Sequence, residues 1–521
     1  MQLFRKLVIL SHRYLGTAIS LLVVMWFASG IVMIYVGGMP AITPQQRLDH
    51  LSPVQIPLIQ FSPSQAAERA NLGTEWSGFG DGRVTLLSVL DRPAYRFGDE
   101  ATVFADTGET MQELTVEQCR IVARSFFAQP LVELRFSGTL THVDQWTIGM
   151  SGQMPLHKFA ADDGTEIYVQ PRTGEVVMLT TSRSRALAWV SAIPHWLYFT
   201  ALRDKQSAWY QVIVWTSSLA CVLAVLGLIL GLTQFKRVRP FRLAAAIPYA
   251  GWLRWHYMTG AVFGLFTLTW AFSGLLSMEP FEWTRAEGLE LPSDTFSGGP
   301  VDLSQFANIR GENTALPGGI PASRGLQAVC HQAIKEVEFV RVLGDPYYLV
   351  RCGAIVVSGG IAGVLPVFGL RERQLVSTHD FQAHREPFST DSLVARVADV
   401  LPGVPVAEQQ LLTQYDSYYY SRERQAPLPV LRVKLGDPAQ TWFYIDPEMS
   451  RVVGHFTRST RVQRWLYSGL HDLDFSFWYD RRPWWDIAVI TLCLGGLASS
   501  GIGLFLGVKR LLRMAGKANP A

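Results

Sequence analysis

The segment that decides the fold occurs twice, as HRYLGTAISLLVVMWFASG at residues 12–30 and as HYMTGAVFGLFTLTWAFSG at residues 256–274. Both copies begin with a histidine, and they match at a constant offset of 244. The identical pairs include His12/His256, Gly16/Gly260, Trp26/Trp270, Ser29/Ser273 and Gly30/Gly274. A repeat that keeps its residues in register indicates two equivalent structural units.

A second stretch repeats at an offset of 276 and runs for over 60 residues without a gap, from Tyr168/Tyr444 to Gly231/Gly507. It contains the pair His195/His471, and its last part contains Gly227/Gly503 and Gly231/Gly507. In each half the two glycines are four residues apart, a spacing that lets membrane helices approach closely. The chain is therefore interpreted as a duplication, with each half read as span, ectodomain, span.

Four uncharged, apolar stretches are long enough to cross a bilayer, which takes about 20 residues. They lie at about 14–36, between Lys205 and Lys236, between Arg254 and Glu279, and between Asp486 and Lys509. Buried core helices are the alternative interpretation, and a cleaved signal peptide is the alternative for the first stretch. Its length and its repeat partner favour a membrane anchor.

On one side of these stretches the flanking residues include basic but no acidic side chains. Twelve Lys and Arg, and no Asp or Glu, precede the first stretch, separate the second from the third, and follow the fourth. The positive-inside rule then predicts both termini in the cytoplasm and two large segments outside, in the periplasm if the source is bacterial. The predicted order is a cytoplasmic start and first span (1–37), a first α+β ectodomain (38–204), a second span (205–235), a basic cytoplasmic loop (236–254), a third span (255–278), a second α+β ectodomain (279–484), a fourth span (485–508) and a cytoplasmic tail (509–521).

Composition excludes several classes of protein. Charged residues make up only 17% of the chain, against about 25% in soluble domains. This argues for contact with the lipid bilayer and against a nucleic-acid partner. The five Cys include no CxxC pair, which excludes a zinc ribbon. In the ectodomains, helices are predicted at about 64–71, 115–127, 323–334 and 389–400, each followed by β-strands.

Four of the eleven histidines occupy repeated positions near the span ends. His12 and His256 begin spans one and three, while His195 and His471 precede spans two and four. A twofold arrangement would bring His12 opposite His256 at the inner face and His195 opposite His471 at the outer face. Two facing imidazoles are able to supply both axial ligands of a haem iron.

Alternatives remain for these four histidines. A histidine at a span end often hydrogen-bonds to a helix end or a lipid headgroup. A zinc pair is a further alternative, although two histidines are too few ligands for structural zinc. The prediction is two haems, one near each membrane face, with His12, His256, His195 and His471 as the cofactor-binding, iron-ligating residues.

The segments SHRYLG, RWHYMTG, SRALAWVSAIPHWLYF and STRVQRWLYSGLHDLDF resemble the PepSY-associated transmembrane family. The resemblance covers nearly the whole chain. It implies a helical bundle of four membrane spans with α+β, PepSY-like periplasmic domains in a bacterial inner membrane. It also implies haem b and an oxidoreductase of the ferrioxamine type, which passes electrons from a cytoplasmic or quinone donor to a ferric siderophore. The sequence departs from the family pattern in one place: His471 has an acidic neighbour, and His195 has none.

Two rival functions stay open. A membrane-anchored PepSY protein that binds or inhibits peptidases would need no redox activity. A transporter is disfavoured because the four spans contain no acidic residue or lysine. For substrate contact, the tyrosines of YDSYYYSRER (415–424) either line a pocket for the chelate or form the buried face of a strand. His379 and His384 are interpreted as loop residues, and Cys330 and Cys352 are candidates for a disulfide.

Overall fold

The computed structural model describes residues 2–78, 80–127, 133–236, 246–282, 288–306, 309, 326, 329, 330, 333–353, 373–422 and 426–518. The chain divides into two compact units. The first unit comprises Met1–Met39, Arg183–Glu287 and Arg458–Ala521, and the second comprises Pro40–Ser182 and Gly288–Thr457. Each unit is described by itself below.

The described chain contains both helices and strands. The helices are α1 (Gln2–Val36), α2 (Pro44–His50), α3 (Pro63–Arg69), α4 (Val116–Phe127), α5 (Ser182–Val190), α6 (Ala192–Trp196), α7 (Thr200–Arg203), α8 (Gln206–Thr233), α9 (Gly251–Leu276), α10 (Ser293–Ser297), α11 (Thr390–Val400), α12 (Arg458–Arg464), α13 (Ser476–Tyr479) and α14 (Trp484–Ala518). The strands are β1 (Glu75–Trp76), β2 (Val84–Val89), β3 (Arg92–Phe97), β4 (Ala101–Phe104), β5 (Arg135–Leu140), β6 (Leu156–Ala160), β7 (Glu166–Gln170), β8 (Glu175–Thr180), β9 (Val301–Asp302), β10 (Ile334–Val342), β11 (Asp345–Cys352), β12 (Arg373–Ser377), β13 (Ala383–His384), β14 (Val406–Leu412), β15 (Val430–Leu435), β16 (Trp442–Asp446) and β17 (Arg451–Phe456).

Four helices of the first unit are long and apolar enough to cross a membrane, as predicted. These spans are Leu3–Val36, Gln206–Thr233, Gly251–Leu276 and Trp484–Met514. The third helix begins at Gly251 rather than at 255, and the fourth runs on to Ala518 rather than ending at 508. The added residues 509–518 are mostly Lys, Arg, Leu, Met and Ala, which favour helix.

The spans pack in an alternating arrangement. The first helix packs against the second and the fourth, and the third helix packs against the same two. An apolar cluster joins them, with Val23 and Phe27 of the first span close to Ala220 of the second and Val489 of the fourth. The first and third spans therefore face each other across the bundle, and they carry His12 and His256.

The second unit contains a seven-stranded sheet to which both predicted ectodomains contribute. Its order is β13-β12-β11-β10-β2-β3-β4, and β10 pairs antiparallel with β2. All six residues of β2 are buried, because one apolar cluster covers Leu86 and another covers Leu87. Segments 38–204 and 279–484, predicted as two separate domains, thus share one sheet, which the sequence did not indicate.

Each half also forms its own four-stranded antiparallel sheet, β5-β6-β7-β8 and β14-β15-β16-β17. A helix precedes each sheet and packs on it, α4 in the first half and α11 in the second. Reciprocal hydrogen bonds between Thr115 and Gln118 start α4, as in a capping box. The helices predicted at 64–71, 115–127 and 389–400 are confirmed, while most of 323–334 lies outside the described residues.

Each of the two four-stranded sheets has a partly buried tyrosine–aspartate hydrogen bond, and the two bonds lie at matched positions. The Tyr168 hydroxyl donates to Asp144 Oδ2 at 3.0 Å, and the Tyr444 hydroxyl donates to Asp416 Oδ2 at 2.8 Å. Asp416 also accepts from the backbone N–H groups of Tyr418 and Tyr419. These aspartates hold loops onto their sheets.

Candidate functional site: two histidine pairs

The inner pair consists of His12 on the first span and His256 on the third. Their ring centres lie 6.1 Å apart, with 39° between the ring planes. The first and third helices reach across the bundle here, while the second and fourth helices flank them. The predicted apposition of these two residues is therefore present.

Backbone carbonyls of the flanking helices hold both inner imidazoles. His12 Nδ1 lies 3.2 Å from the carbonyl oxygen of Leu223, and His256 Nδ1 lies 3.0 Å from that of Ser499. The two acceptors occupy matched positions at the offset of 276. Because a carbonyl only accepts, each Nδ1 carries a proton, and a neutral imidazole then keeps the lone pair on Nε2. Metal-ligating histidines are oriented by this kind of bond.

Glycines make room for the inner rings. A Cβ atom on Gly227 would lie 3.0 Å from Cε1 of His12, and one on Gly503 would lie 3.1 Å from Cε1 of His256. Both distances are shorter than most Cβ contacts, so an alanine at either position would require the imidazole to shift by a few tenths of an ångström. The sequence indicated helix–helix contact for these residues, but their neighbours are the imidazoles.

The outer pair consists of His195 and His471, which are also 6.1 Å apart between ring centres. Their planes are inclined by 76°. His195 Nδ1 lies 3.1 Å from Ser29 Oγ and 3.2 Å from the carbonyl oxygen of Trp26. His471 Nδ1 lies 3.0 Å from Ser273 Oγ, and the histidine also hydrogen-bonds to the backbone of Trp270. The predicted apposition is present at this end as well.

Different local structures deliver the two outer histidines. His195 lies on the short helix α6, whereas His471 follows a π-helical turn, Trp465–Gly469. An indole N–H then holds the peptide after each histidine. Trp209 Nε1 donates to the carbonyl of Trp196 at 2.8 Å, and Trp485 Nε1 donates to that of Asp472 at 3.2 Å. Sequence comparison paired Trp209 with Trp485 but gave them no role.

The surroundings of the outer pair are unequal in charge. Arg464 and Asp474 form a buried ion pair at 3.4 Å, and Arg464 also donates to the backbone carbonyl of Asp474. The matched positions in the first half hold Ala188 and Tyr198. The loop that carries His471 is thus anchored by a charge pair that its counterpart lacks.

Burial keeps the outer imidazoles neutral. Burial and the nearby His471 lower the pKa of His195 to about 4, and burial lowers the pKa of His471 to about 4 as well. At neutral pH each ring therefore has one N–H and one lone pair, which is the form that binds a metal ion.

The geometry of both pairs fits a single iron bound between two imidazoles. Two imidazoles bound to one metal through nitrogens at about 2 Å would have ring centres about 6 Å apart. All four Nδ1 atoms have hydrogen-bond partners. No group of three or more His, Cys, Asp or Glu capable of holding a metal occurs among the described residues. Haem iron, which needs two axial ligands, fits this donor set better than structural zinc.

The other residues that the sequence analysis singled out form ring stacks or a disulfide. Tyr419 stacks on Tyr444, with ring centres 5.0 Å apart. The tyrosines at 415–420 lie in a loop, so the buried strand considered for them is not formed. His384 stacks on Phe388 at 4.3 Å. Cys330 and Cys352 form a disulfide with their Cα atoms 5.7 Å apart.

Sequence reasoning missed the serines that support the outer pair. Ser29 and Ser273 were recognised only as repeated residues, because the sequence of an apolar helix does not show which side chain a serine will contact.

Comparisons with known protein families and with characterised proteins return no match. The fit of the histidine pairs therefore rests on their geometry alone.

Proposed function

We propose that this chain is a membrane oxidoreductase that carries electrons across the bilayer and reduces ferric siderophores on the outer side. The observation that supports the proposal is the pair of imidazole couples, each with ring centres 6.1 Å apart and with Nδ1 already engaged. A b-type haem bound between each couple would supply a one-electron Fe(III)/Fe(II) exchange.

The two couples are spaced for transfer along the bundle. Seventeen residues separate His12 from Ser29, which contacts His195. At 1.5 Å per residue, this is about 25 Å along the first helix. The same spacing separates His256 from Ser273 on the third span. The inner couple would receive electrons near one face and the outer couple would release them near the other.

The orientation follows from charge. The basic residues that flank the spans put His12 and His256 on the cytoplasmic side and both termini in the cytoplasm. The α+β unit then lies in the periplasm of a bacterial inner-membrane protein. A gene duplication, with PepSY-like ectodomains, accounts for the matched hydrogen bonds at residues 223 and 499 and at residues 144 and 416.

The reaction needs only electrons from an external donor. A cytoplasmic reductant or a quinol gives up one electron for each ferric chelate reduced. The chelate gains that electron, Fe(III) becomes Fe(II), and no covalent bond to the protein forms. Siderophores bind Fe(III) through hard oxygen donors and hold Fe(II) far less strongly, so the iron is released.

Spectroscopy of the purified full-length protein tests the proposal. We expect two haems per chain, with a Soret band that shifts on addition of dithionite. Pre-reduced protein should then reduce ferrioxamine, and a chromogenic Fe(II) chelator should trap the product. Protein that stays colourless after expression in haem-replete cells would contradict the proposal and favour a membrane-anchored PepSY protein that binds or inhibits peptidases.

A further inference from the structure

The two histidine couples differ in one geometric respect. Both have the same separation between ring centres, but the angle between ring planes is 39° in the inner couple and 76° in the outer couple. The acceptors differ as well. The inner Nδ1 atoms face only backbone carbonyls, whereas the outer Nδ1 atoms also face the hydroxyls of Ser29 and Ser273.

Each outer serine hydroxyl links an imidazole to the membrane helix on which the serine lies. Ser29 Oγ donates to the carbonyl of Met25 at 2.7 Å, and Ser273 Oγ donates to that of Trp270 at 3.1 Å. The hydroxyl proton is thus used, so each oxygen accepts from the histidine Nδ1–H. Both serines are buried, at 2% and 0% exposure. A buried acceptor that is fixed to a helix also fixes the rotation of the ring that donates to it.

Ring orientation matters for an iron that is bound by two imidazoles. Each ring interacts with the iron d orbital that lies across its plane. When the planes are nearly perpendicular, two d orbitals are affected equally and the ferric state is strongly anisotropic. When the planes are closer to parallel, one orbital is affected more than the other and the anisotropy is smaller. Hydrogen bonds to the ligands are one of the means by which a protein tunes such a site.

We infer that Ser29 and Ser273 are positioning residues that hold the outer imidazole planes nearly perpendicular, so that the outer iron site differs magnetically from the inner one. This inference rests on the proposed function. The two sites are therefore not copies, although the residues that form them are repeated in the sequence.

Low-temperature electron paramagnetic resonance of the oxidised full-length protein, with haem content measured on the same sample, tests the inference. We expect two low-spin ferric signals, of which the more anisotropic disappears in His471→Ala and persists in His12→Ala. Two identical signals, or a more anisotropic signal that disappears in His12→Ala instead, would overturn the inference and leave the proposed function intact. Absence of haem would contradict the proposed function itself.

Serine variants test the positioning role directly. Ser29→Ala and Ser273→Ala should each shift the outer signal and leave the inner signal unchanged, while Ser29→Thr keeps the hydroxyl and should restore the outer signal. Ser20→Ala is the matched control, because this buried serine donates to the carbonyl of Gly16 and has no hydrogen bond to a histidine among the described residues. The inner signal in the same sample reports that each variant is folded. An outer signal unchanged in both alanine variants, or an equal shift of both signals, would overturn the inference.

Discussion

The inner and outer histidine couples reach the same separation through different local structures. The inner histidines lie within long membrane helices, and the carbonyls of the neighbouring spans hold them. The outer histidines lie in short helical segments outside the spans, and serines of the first and third spans hold them. What both couples share is an acceptor on a neighbouring helix at a matched position. The acceptor, rather than the local backbone, determines where each imidazole lies.

The comparison can be made sharper within the outer couple. His195 lies within a short regular helix, α6, whereas His471 follows a π-helical turn and belongs to a loop anchored by Arg464 and Asp474. Two different backbones therefore deliver equivalent imidazoles. The difference predicts that the two halves respond unequally to the same kind of substitution.

The largest expected effect follows from removing a ligand. His471→Ala should abolish the outer haem and lower the haem content to about half, since an axial imidazole is lost. His256→Ala should do the same for the inner haem. Haem content, together with the paramagnetic signals, measures both effects. His379→Ala, in an exposed loop, is the control, and unchanged haem content in both His471→Ala and His256→Ala would refute the ligand assignment.

The buried ion pair is expected to have the next largest effect. Asp474→Asn removes the negative charge 3.4 Å from Arg464. Breaking a buried pair costs about 3–5 kcal/mol, so the temperature at which the outer haem signal is lost should fall. The matched change in the first half, Tyr198→Phe, should leave that temperature nearly unchanged. Equal responses would mean that the two outer histidines are supported alike.

Alanine at the glycines beside the inner histidines should have a smaller effect. A methyl group at Gly227 or Gly503 would press on the imidazole, and overpacking costs about 1–3 kcal/mol. Gly227→Ala and Gly503→Ala should reduce occupancy of the inner site only. Gly231→Ala is the matched control on the same helix as Gly227, because its Cβ would meet no atom within 4 Å. An inner site that stays fully occupied would show that the glycines serve another purpose.

The smallest effect concerns the indole N–H groups that hold the outer segments. Trp485→Phe removes a donor to the carbonyl of Asp472, and one hydrogen bond contributes about 1 kcal/mol. Faster amide hydrogen exchange at residues 470–474 should report the loss, with the inner haem unaffected. Trp215→Phe, on an exposed face of the second span, is the control. Exchange that increases equally in both variants would argue against a specific role for Trp485.

Much of the architecture could be predicted because it depends on local sequence. Apolar length predicts the spans, and the helices predicted at 115–127 and 389–400 are present at residues 116–127 and 390–400. The sharing of one sheet by β2 and β10 could not be predicted, since strand pairing between segments about 250 residues apart leaves no periodic signal.

The sequence by itself determined the four apolar segments and the four repeated histidines, because residue spacing and polarity act locally. It also determined which histidines are equivalent, because a constant offset relates them. Only the tertiary structure decided which atom of each ring is engaged, the angle between the rings, and the roles of Ser29, Ser273, Gly227 and Gly503. These depend on acceptors and close contacts supplied by neighbouring helices, and such contacts exist only once the chain has folded.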